Sequence, residues 1–121
     1  ISTDFKTHQI LQIADVITGL RSLNIEKPKD FDEQISRYSC FMCFAILAAA
    51  AEGNHFNAIK KLKELILGSL HREEIKKAHF EKITTKSRIA IYLMKKQRIR
   101  LAFYFLYLCK ELKHMRKGDK K

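Results

Sequence analysis

Two cysteines, Cys40 and Cys43, stand in the sequence CFMC, a spacing that redox pairs and zinc sites both use. A redox pair needs a stabilised thiolate, whereas these cysteines have Phe, Met, Ala and Ile as neighbours, among which the neutral thiol is favoured. A zinc ion would need two further ligands, and the chain has no second CxxC and no HxxxH. A partnership of Cys109 with a histidine stays open. We therefore predict that Cys40 and Cys43 are inert residues of the core.

The other titratable side chains show no catalytic arrangement. Glu73 and Glu74 are adjacent, so a helix would point them about 100° apart rather than towards one substrate. The chain has no Gly-rich phosphate loop and no nucleophile elbow. We predict no catalytic residue, no metal ligand and no cofactor site in this segment. The histidines are scattered among polar neighbours and are predicted to face solvent; they are His8, His55, His71, His79 and His114.

The net charge of +11 is concentrated in the C-terminal third of the chain. The first 54 residues contain five Lys or Arg and seven Asp or Glu, a net charge of −2. From Lys82 onward, thirteen basic residues stand against Glu111 and Asp119 alone, a net charge of +11. Such a local excess predicts an anionic partner or surface and does not by itself identify it.

The length of 121 residues and the hydrophobic content of 46% predict a single domain, residues 1–121, with a real core. Three cysteines, an odd number, do not suggest a disulfide framework and predict a reducing, cytoplasmic compartment. No run approaches the roughly 20 apolar residues that cross a bilayer, and no signal-peptide pattern is present. Because the chain begins at Ile1 rather than Met, we expect it to be the C-terminal fragment of a longer protein.

Apolar residues recur at helical spacing through most of the chain. This predicts an all-α fold, a small irregular bundle of four to five helices that ends in a basic amphipathic helix pair. Ser2, Thr3 or Asp4 would cap the first helix, and Asp30 or Asp32 the second. The predicted helices cover about 4–24, 30–53, 55–70, 84–94 and 98–116, with a short helix or a loop between His71 and Thr85.

Three details of this bundle can be predicted from local sequence. The second helix is apolar on nearly all sides from Cys40 to Ala51, so it should be the central, most buried one. After it, Gly53 should adopt the left-handed conformation and Asn54 should cap the next helix. The last helix should turn an inner stripe towards the core, made of Leu101, Phe105, Leu108, Leu112 and Met115.

Two alternative folds fit parts of the chain. The runs IAIYLM and LAFYFLYL are β-prone and would suit a hairpin, but the intervening KKQR lacks the Gly or Asn of tight hairpin turns. The stretch AAEGNHFNAIKKLKEL is typical of a tetratricopeptide hairpin, but the pattern does not recur at the period of about 34 residues that such repeats have.

The segment 86–117, a basic and aromatic-rich helix pair, carries the main functional signal. Its run LAFYFLYLC spans only about 14 Å as a helix, which is too short to cross a bilayer. Cations bracket the run at both ends, as in helices that lie at a membrane interface with aromatic rings at headgroup depth. The predicted contacts with a membrane or another anionic surface are Lys86, Arg88, Lys95, Lys96, Arg98, Arg100, Phe103, Tyr104, Tyr107, Lys110, Lys113, Arg116 and Lys117.

Two other partners fit the same residues. A nucleic acid would bind its phosphates to the cations and stack its bases on exposed Tyr or Phe, although the aromatic run lies between the basic clusters rather than among them. A homodimer would instead pair the apolar face with its copy, and the chain would then be an assembly module.

The opening Ile1-Ser2-Thr3, the Ala-rich turn AAAAEGN and the closing SRIAIYLMKKQRIRLAFYFLYLCKELK resemble the C-terminal helical region of bacterial family 2 glycosyltransferases. This resemblance covers essentially the whole chain. It implies a catalytic α/β domain on which the helices would pack, and a peripheral location at the inner face of the cell membrane. The implied activity of the whole protein is transfer of a sugar from a nucleotide-sugar donor to a surface polysaccharide or lipid-linked acceptor. No catalytic residue is carried over, because none of the matching motifs is catalytic.

Overall fold

The computed structural model describes residues 7–119, with side chains as far as Met115, and it confirms the all-α prediction. Within this part of the chain there is no strand. One turn of 3-10 helix, Phe56–Ala58, leads into the third helix. The predicted caps of the first helix at Ser2, Thr3 and Asp4 lie outside the described residues. The α-helices are α1 (His8–Ser22), α2 (Phe31–Glu52), α3 (Ile59–Leu67), α4 (His71–Lys77), α5 (Thr85–Lys95) and α6 (Ile99–Asp119).

The described part has six α-helices, one more than the predicted upper bound, because α4 forms where the sequence left a short helix or a loop open. Two Glu in its first turn and two Lys in its last turn stabilise it through the helix dipole. Its buried side consists of His71, Glu74 and Ile75. Two of these residues are polar, so apolar periodicity alone gave only a weak helix signal.

Helix α2 is the centre of the bundle, as predicted. It packs against α1, α4, α5 and α6. Cys40, Cys43, Leu47 and Ala50 on this helix are fully buried. Because alanine side chains are small, the AAAA run lets neighbouring helices approach closely. The rest of the fold is therefore arranged around α2.

Helix α2 also differs from the expectation that no segment of the chain approaches the apolar length of a membrane span. In the described part of the chain it is the one helix long and apolar enough to cross a membrane by length and composition, with a mean hydropathy of 1.3 over its best 18-residue window. Half of that window is buried inside the bundle. Since the core helix of a soluble protein passes the same test, this property is weak evidence for a membrane span.

The turn after α2 corrects the predicted roles of Gly53 and Asn54. Gly53 has a φ of −91°, whereas Asn54 has a φ of 57° and is the left-handed residue. Asparagine tolerates this conformation better than most residues because its short polar side chain can bond locally. Glycine is needed at position 53 for another reason: a Cβ there would lie 2.6 Å from the His55 ring.

Helices α5 and α6 form the predicted C-terminal pair, and the β-hairpin alternative is wrong. Thr84 caps α5, its hydroxyl accepting a hydrogen bond from the Ser87 backbone N–H at 3.2 Å. The two helices are joined at Gln97, which has a φ of 64°. The backbone N–H of Arg98 then donates to the Leu93 carbonyl at 2.9 Å, which closes the turn. KKQR thus reverses the chain between helices without glycine.

Candidate functional site

Helix α6 is apolar on two opposite faces, and the structure buries the face that the sequence analysis did not choose. Ile99, Ala102, Phe103 and Leu106 are the buried apolar residues of this helix. They pack towards α2, α3 and α5, the helices that α6 contacts. These positions recur every three or four residues, so they lie on one side of the helix.

The stripe predicted to face the core is largely exposed, so that prediction is wrong. Phe105 is half-buried, but Leu101, Leu108, Leu112 and Met115 are between 53% and 64% exposed. We call these five residues the outer stripe. It runs about 21 Å along α6, from position 101 to position 115. Apolar residues recur at helical spacing on both faces of α6. The face that contains the small Ala102 and the fully buried Phe103 is the one that packs on the bundle.

The three aromatic residues predicted to contact a membrane have different environments. Phe103 is fully buried, so it is not a surface contact. The Tyr104 ring stacks on Phe56 at a centroid distance of 6.4 Å, and the half-buried Tyr107 meets the same ring edge-on at 4.9 Å. Phe56 is itself 42% exposed and supports both tyrosines. Only Tyr104 remains an exposed aromatic residue of the predicted set.

Lys110 is also removed from the predicted contact surface, because it is buried. Its ammonium donates a hydrogen bond to the Asn54 side-chain oxygen. The same group lies 4.7 Å from the centre of the Tyr107 ring and 3.6 Å from a Glu111 carboxylate oxygen. Lys110 thus ties α6 to the turn after α2, and its charge is not available to a membrane.

The remaining cations of the helix pair are exposed and uncompensated. Within the described residues, no carboxylate oxygen lies within 4.0 Å of the amino or guanidinium nitrogens of these side chains. Glu111 is the single acidic residue between positions 82 and 118, so few carboxylates are close in sequence. The predicted contacts Arg116 and Lys117 have side chains outside the described part. The exposed cations are Lys86, Lys96, Arg98, Arg100 and Lys113.

Two predicted contacts, Arg88 and Lys95, lie in a different place. They line a recess of about 180 Å³ formed by α5 and the loop before it. Sequence reasoning did not connect them with this loop, because the recess forms only when residues 79–83 fold back along α5. The predicted set therefore divides into cations around α6 and cations beside the loop.

The cysteines have the inert environment that the sequence predicted. Burial raises the pKa of the Cys40 thiol to about 12, and burial likewise raises the pKa of Cys43. Cys109 is half-buried. In the described part of the chain, no group of three His, Cys, Asp or Glu side chains could hold a metal ion. Cys40 and Cys43 act as small core residues.

His71 contradicts the prediction that the histidines face solvent. It is fully buried. Its Nε2 lies 2.8 Å from the Ile10 carbonyl, which can only accept, so Nε2 carries the proton and Nδ1 accepts from the Ser39 hydroxyl at 2.5 Å. Burial lowers the pKa of His71. The neutral ring thus links α4 to α1 and α2.

The lowered pKa of His71 predicts that the fold loses stability as the pH falls below the ordinary histidine pKa of about 6.5. In that range the unfolded chain binds a proton that the folded chain excludes, so protonation favours unfolding. We expect the urea midpoint to fall between pH 7 and pH 5, with a smaller fall in His71→Gln than in the unmodified chain. The exposed His79→Gln is the control and should keep the original slope; an equal slope in His71→Gln would contradict this role.

A second buried cluster centres on Glu74 and was also missed. The Glu74 carboxylate accepts hydrogen bonds from Arg21 Nε at 3.1 Å, from Arg21 Nη2 at 2.9 Å and from the Ser36 hydroxyl at 2.8 Å. Arg21 also pairs with Asp32 at 2.6 Å. The cluster therefore joins α1, α2 and α4. A sequence signal existed: Ser36 and Ser39 are the two serines of α2, lie one turn apart and stand just before its apolar run.

Comparison with protein-family models, with curated proteins and with solved structures finds no match to this chain. The structure shows an all-α bundle. Its last helix, α6, exposes the outer stripe among cations that have no carboxylate nearby in the described part of the chain.

Proposed function

We propose that this chain is the C-terminal helical module of a family 2 glycosyltransferase and that it associates peripherally with the inner, anionic face of the cell membrane through α6. The observation that carries the membrane part is the outer stripe, an apolar face about 21 Å long whose Leu and Met side chains are more than half exposed within the described part of the chain. Arg98 and Arg100 lie at the N-terminal end of this stripe, and Lys113 lies near its other end.

This combination suits a helix lying flat in the headgroup region. Burying each exposed Leu or Met of the outer stripe in lipid stabilises the bound state by about 1 kcal/mol, since these side chains are already partly covered. Each Lys or Arg near an anionic leaflet adds about 1 kcal/mol. Neither contribution alone gives stable binding, so the proposal requires both the stripe and the cations.

Charge favours a membrane over a second copy of the chain as the occupant of this face. Two outer stripes in contact would bring the uncompensated cations of both copies together, and like charges repel. An anionic leaflet neutralises the same cations. The homodimer is therefore the alternative outcome, and light scattering of the isolated chain as a monomer would exclude it.

The environment of the aromatic rings on α6 argues against nucleic acid as the partner of this helix. Base stacking needs free aromatic faces, whereas Phe103 is buried and Tyr104 already stacks on Phe56. The outer stripe itself consists mainly of Leu and Met, which suit lipid better than bases. Salt-sensitive retention of a nucleic acid without vesicle binding would favour the nucleic-acid function instead.

Vesicle flotation tests the membrane part of the proposal. The unmodified chain should float with vesicles that contain an anionic lipid and less with neutral vesicles. Arg98→Ser combined with Arg100→Ser should reduce partitioning into anionic vesicles roughly 30-fold, because two cations contribute about 2 kcal/mol. Leu108→Ser combined with Leu112→Ser should reduce binding to both vesicle types.

The matched control is Leu11→Ser combined with Val16→Ser on α1, which removes exposed apolar side chains from the acidic half of the chain. This variant should float like the unmodified chain. If it loses binding as strongly as the outer-stripe variant, or if the unmodified chain floats with neither vesicle type, the membrane function is excluded.

The glycosyltransferase part has a separate test. Its support is the sequence resemblance together with the all-α fold. A reading frame that encodes an α/β domain with metal-binding aspartates before Ile1 would support it, while an initiator Met directly before Ile1 would contradict it. The two parts can fail independently, because vesicle binding does not depend on what precedes the helices.

A further inference from the structure

Two adjoining recesses meet at the loop 78–84, which joins α4 to α5. The first, about 360 Å³ in volume, is lined by Arg37 of α2 and by loop residues 79–83. The second, about 180 Å³, lies between the loop and α5. His79, Phe80 and Ile83 line both recesses. The two recesses therefore adjoin, and we call them together the loop groove.

The loop groove is rich in cations. Arg88 and Lys95 are seven residues apart on α5, so they lie on the same side of that helix, two turns from each other. Lys82 adds a third cation from the loop. None of these three side chains has a carboxylate oxygen within 4.0 Å in the described part of the chain. Glu81 is the one acidic residue in the lining.

The fourth cation, Arg37, holds the groove together. Its Nε donates to the His79 carbonyl at 3.0 Å, which fixes the loop against α2. Its Nη2 pairs with Glu33 at 3.2 Å. The guanidinium is therefore held at the edge of the first recess, while the charges of Arg88 and Lys95 in the second recess are left for a ligand.

One wall of the groove is apolar. Phe80 and Ile83 are half-buried and pack against the core, and Ile91 is buried behind them. Tyr92 also lines the second recess, is 57% exposed, and has the Lys96 ammonium 5.6 Å from its ring centre. A ligand that fits both parts of the lining has an anionic group for the cations and an apolar or planar group for this wall.

We propose that the loop groove binds a phosphate ester, a mono- or diphosphate attached to an apolar or planar group. Phosphate oxygens accept several charge-assisted hydrogen bonds at once, and the fork of an arginine beside a lysine suits them. The ester is either the headgroup of a lipid or a soluble nucleotide. This site is separate from the proposed membrane-binding face, since its lining comes from α2, the loop and α5, whereas the outer stripe lies on α6.

Calorimetric titration of the chain at physiological ionic strength, without vesicles, tests the proposal. The probes are inorganic pyrophosphate, uridine diphosphate and a short-chain phosphatidic acid below its micelle concentration. We expect saturable binding, with at least one ester tighter than pyrophosphate. Arg88→Ser combined with Lys95→Ser should weaken it by at least about tenfold, because each lost charge-assisted hydrogen bond removes a comparable factor.

The control is Lys60→Ser combined with Lys61→Ser, which removes the same net charge from exposed positions of α3 and should change affinity by less than about twofold if the cations beside the loop hold the ligand. Circular dichroism confirms that both variants are folded. Tighter binding of phosphatidic acid assigns a lipid and tighter binding of the nucleotide assigns a nucleotide; either supports the proposal. Equal weakening in the two variants, no saturable binding, or esters no tighter than pyrophosphate would overturn it.

Discussion

Replacing Phe103 by alanine should lower the free energy of unfolding by about 3–5 kcal/mol, the usual cost of removing a buried phenyl ring. Phe103 is fully buried on the inner face of α6, and its ring meets the edges or faces of Phe56 at 5.7 Å and Tyr104 at 5.6 Å. The ring is too large for its neighbours to fill its space without moving. Urea unfolding followed by circular dichroism measures the loss.

Leu108→Ala is the matched control, because it lies on the same helix but on the opposite, outer face. Its side chain is 58% exposed, so its removal should change stability by no more than about 0.5 kcal/mol. The pair of variants therefore measures which face of α6 packs on the bundle. If Leu108→Ala were the costly change and Phe103→Ala the mild one, α6 would be rotated by half a turn. The membrane proposal would then lose the stripe on which it rests.

The positions of the helices were largely predictable, because helix formation depends on neighbouring residues. The periodicity of apolar residues predicted the bounds of α2, α5 and α6 nearly as the structure has them. Thr84 predicted the start of α5, because an N-cap residue bonds to a backbone N–H only two or three residues further on and is therefore visible in the local sequence. The central position of α2 followed from its run from Cys40 to Ala51, which is apolar on nearly all sides and needs other helices around it to be covered.

The orientation of α6 could not be predicted, because its sequence supports two faces. Inner and outer residues both recur every three or four positions, and the outer stripe has the larger side chains. Which face of α6 packs on the bundle depends on residues outside the helix. Asn54 accepts a hydrogen bond from Lys110, and Phe56 packs on Phe103. These residues are far from α6 in sequence, and no local pattern links them to it.

The buried polar residues were missed for the same reason. Glu74 and Arg21 are 53 residues apart, and Ser39 and His71 are 32 residues apart. Arg21, His71 and Glu74 each appear in the sequence as an ordinary polar residue near other polar residues, and Ser39 gives only the weak signal of a serine beside an apolar run. Burial becomes predictable only when the partner is known, because a charged or polar side chain enters a core when its hydrogen bonds are satisfied there. The loop groove belongs to this group too, since its cations come from α2, a loop and α5.

Glu74→Ala should destabilise the fold by about 2–3 kcal/mol, because it removes the buried acceptor of three hydrogen bonds, while the partly exposed Arg21 keeps its ion pair with Asp32. The Glu74 carboxylate is almost completely buried and accepts three hydrogen bonds that connect α4 to α1 and α2. The Ser36 hydroxyl would lose its acceptor as well. Urea unfolding at pH 7 measures the change.

The neighbouring Glu73→Ala is the control for Glu74→Ala. Glu73 is largely exposed and lies 3.7 Å from Lys76, a surface pair whose loss should cost less than about 1 kcal/mol. Similar losses in the two variants would contradict the buried cluster. A double variant, Arg21→Met with Glu74→Met, should lose less than the sum of the two single changes, since the two residues interact directly.

This cluster also bears on the proposed ligand site, because α4 leads into the loop 78–84. The Glu74 backbone carbonyl accepts the N–H of Ala78, and Ala78 is fully buried directly before the groove residues begin. Glu74→Ala removes one link of α4 to α1 and α2, while His71 keeps another, so the loop loses part of its support and depends more on the Arg37 contact. Glu74→Ala should therefore weaken phosphate-ester binding while the chain remains folded, although no Glu74 atom lines the groove. Unchanged affinity in the folded variant would show that the Arg37 contact is sufficient to shape the loop.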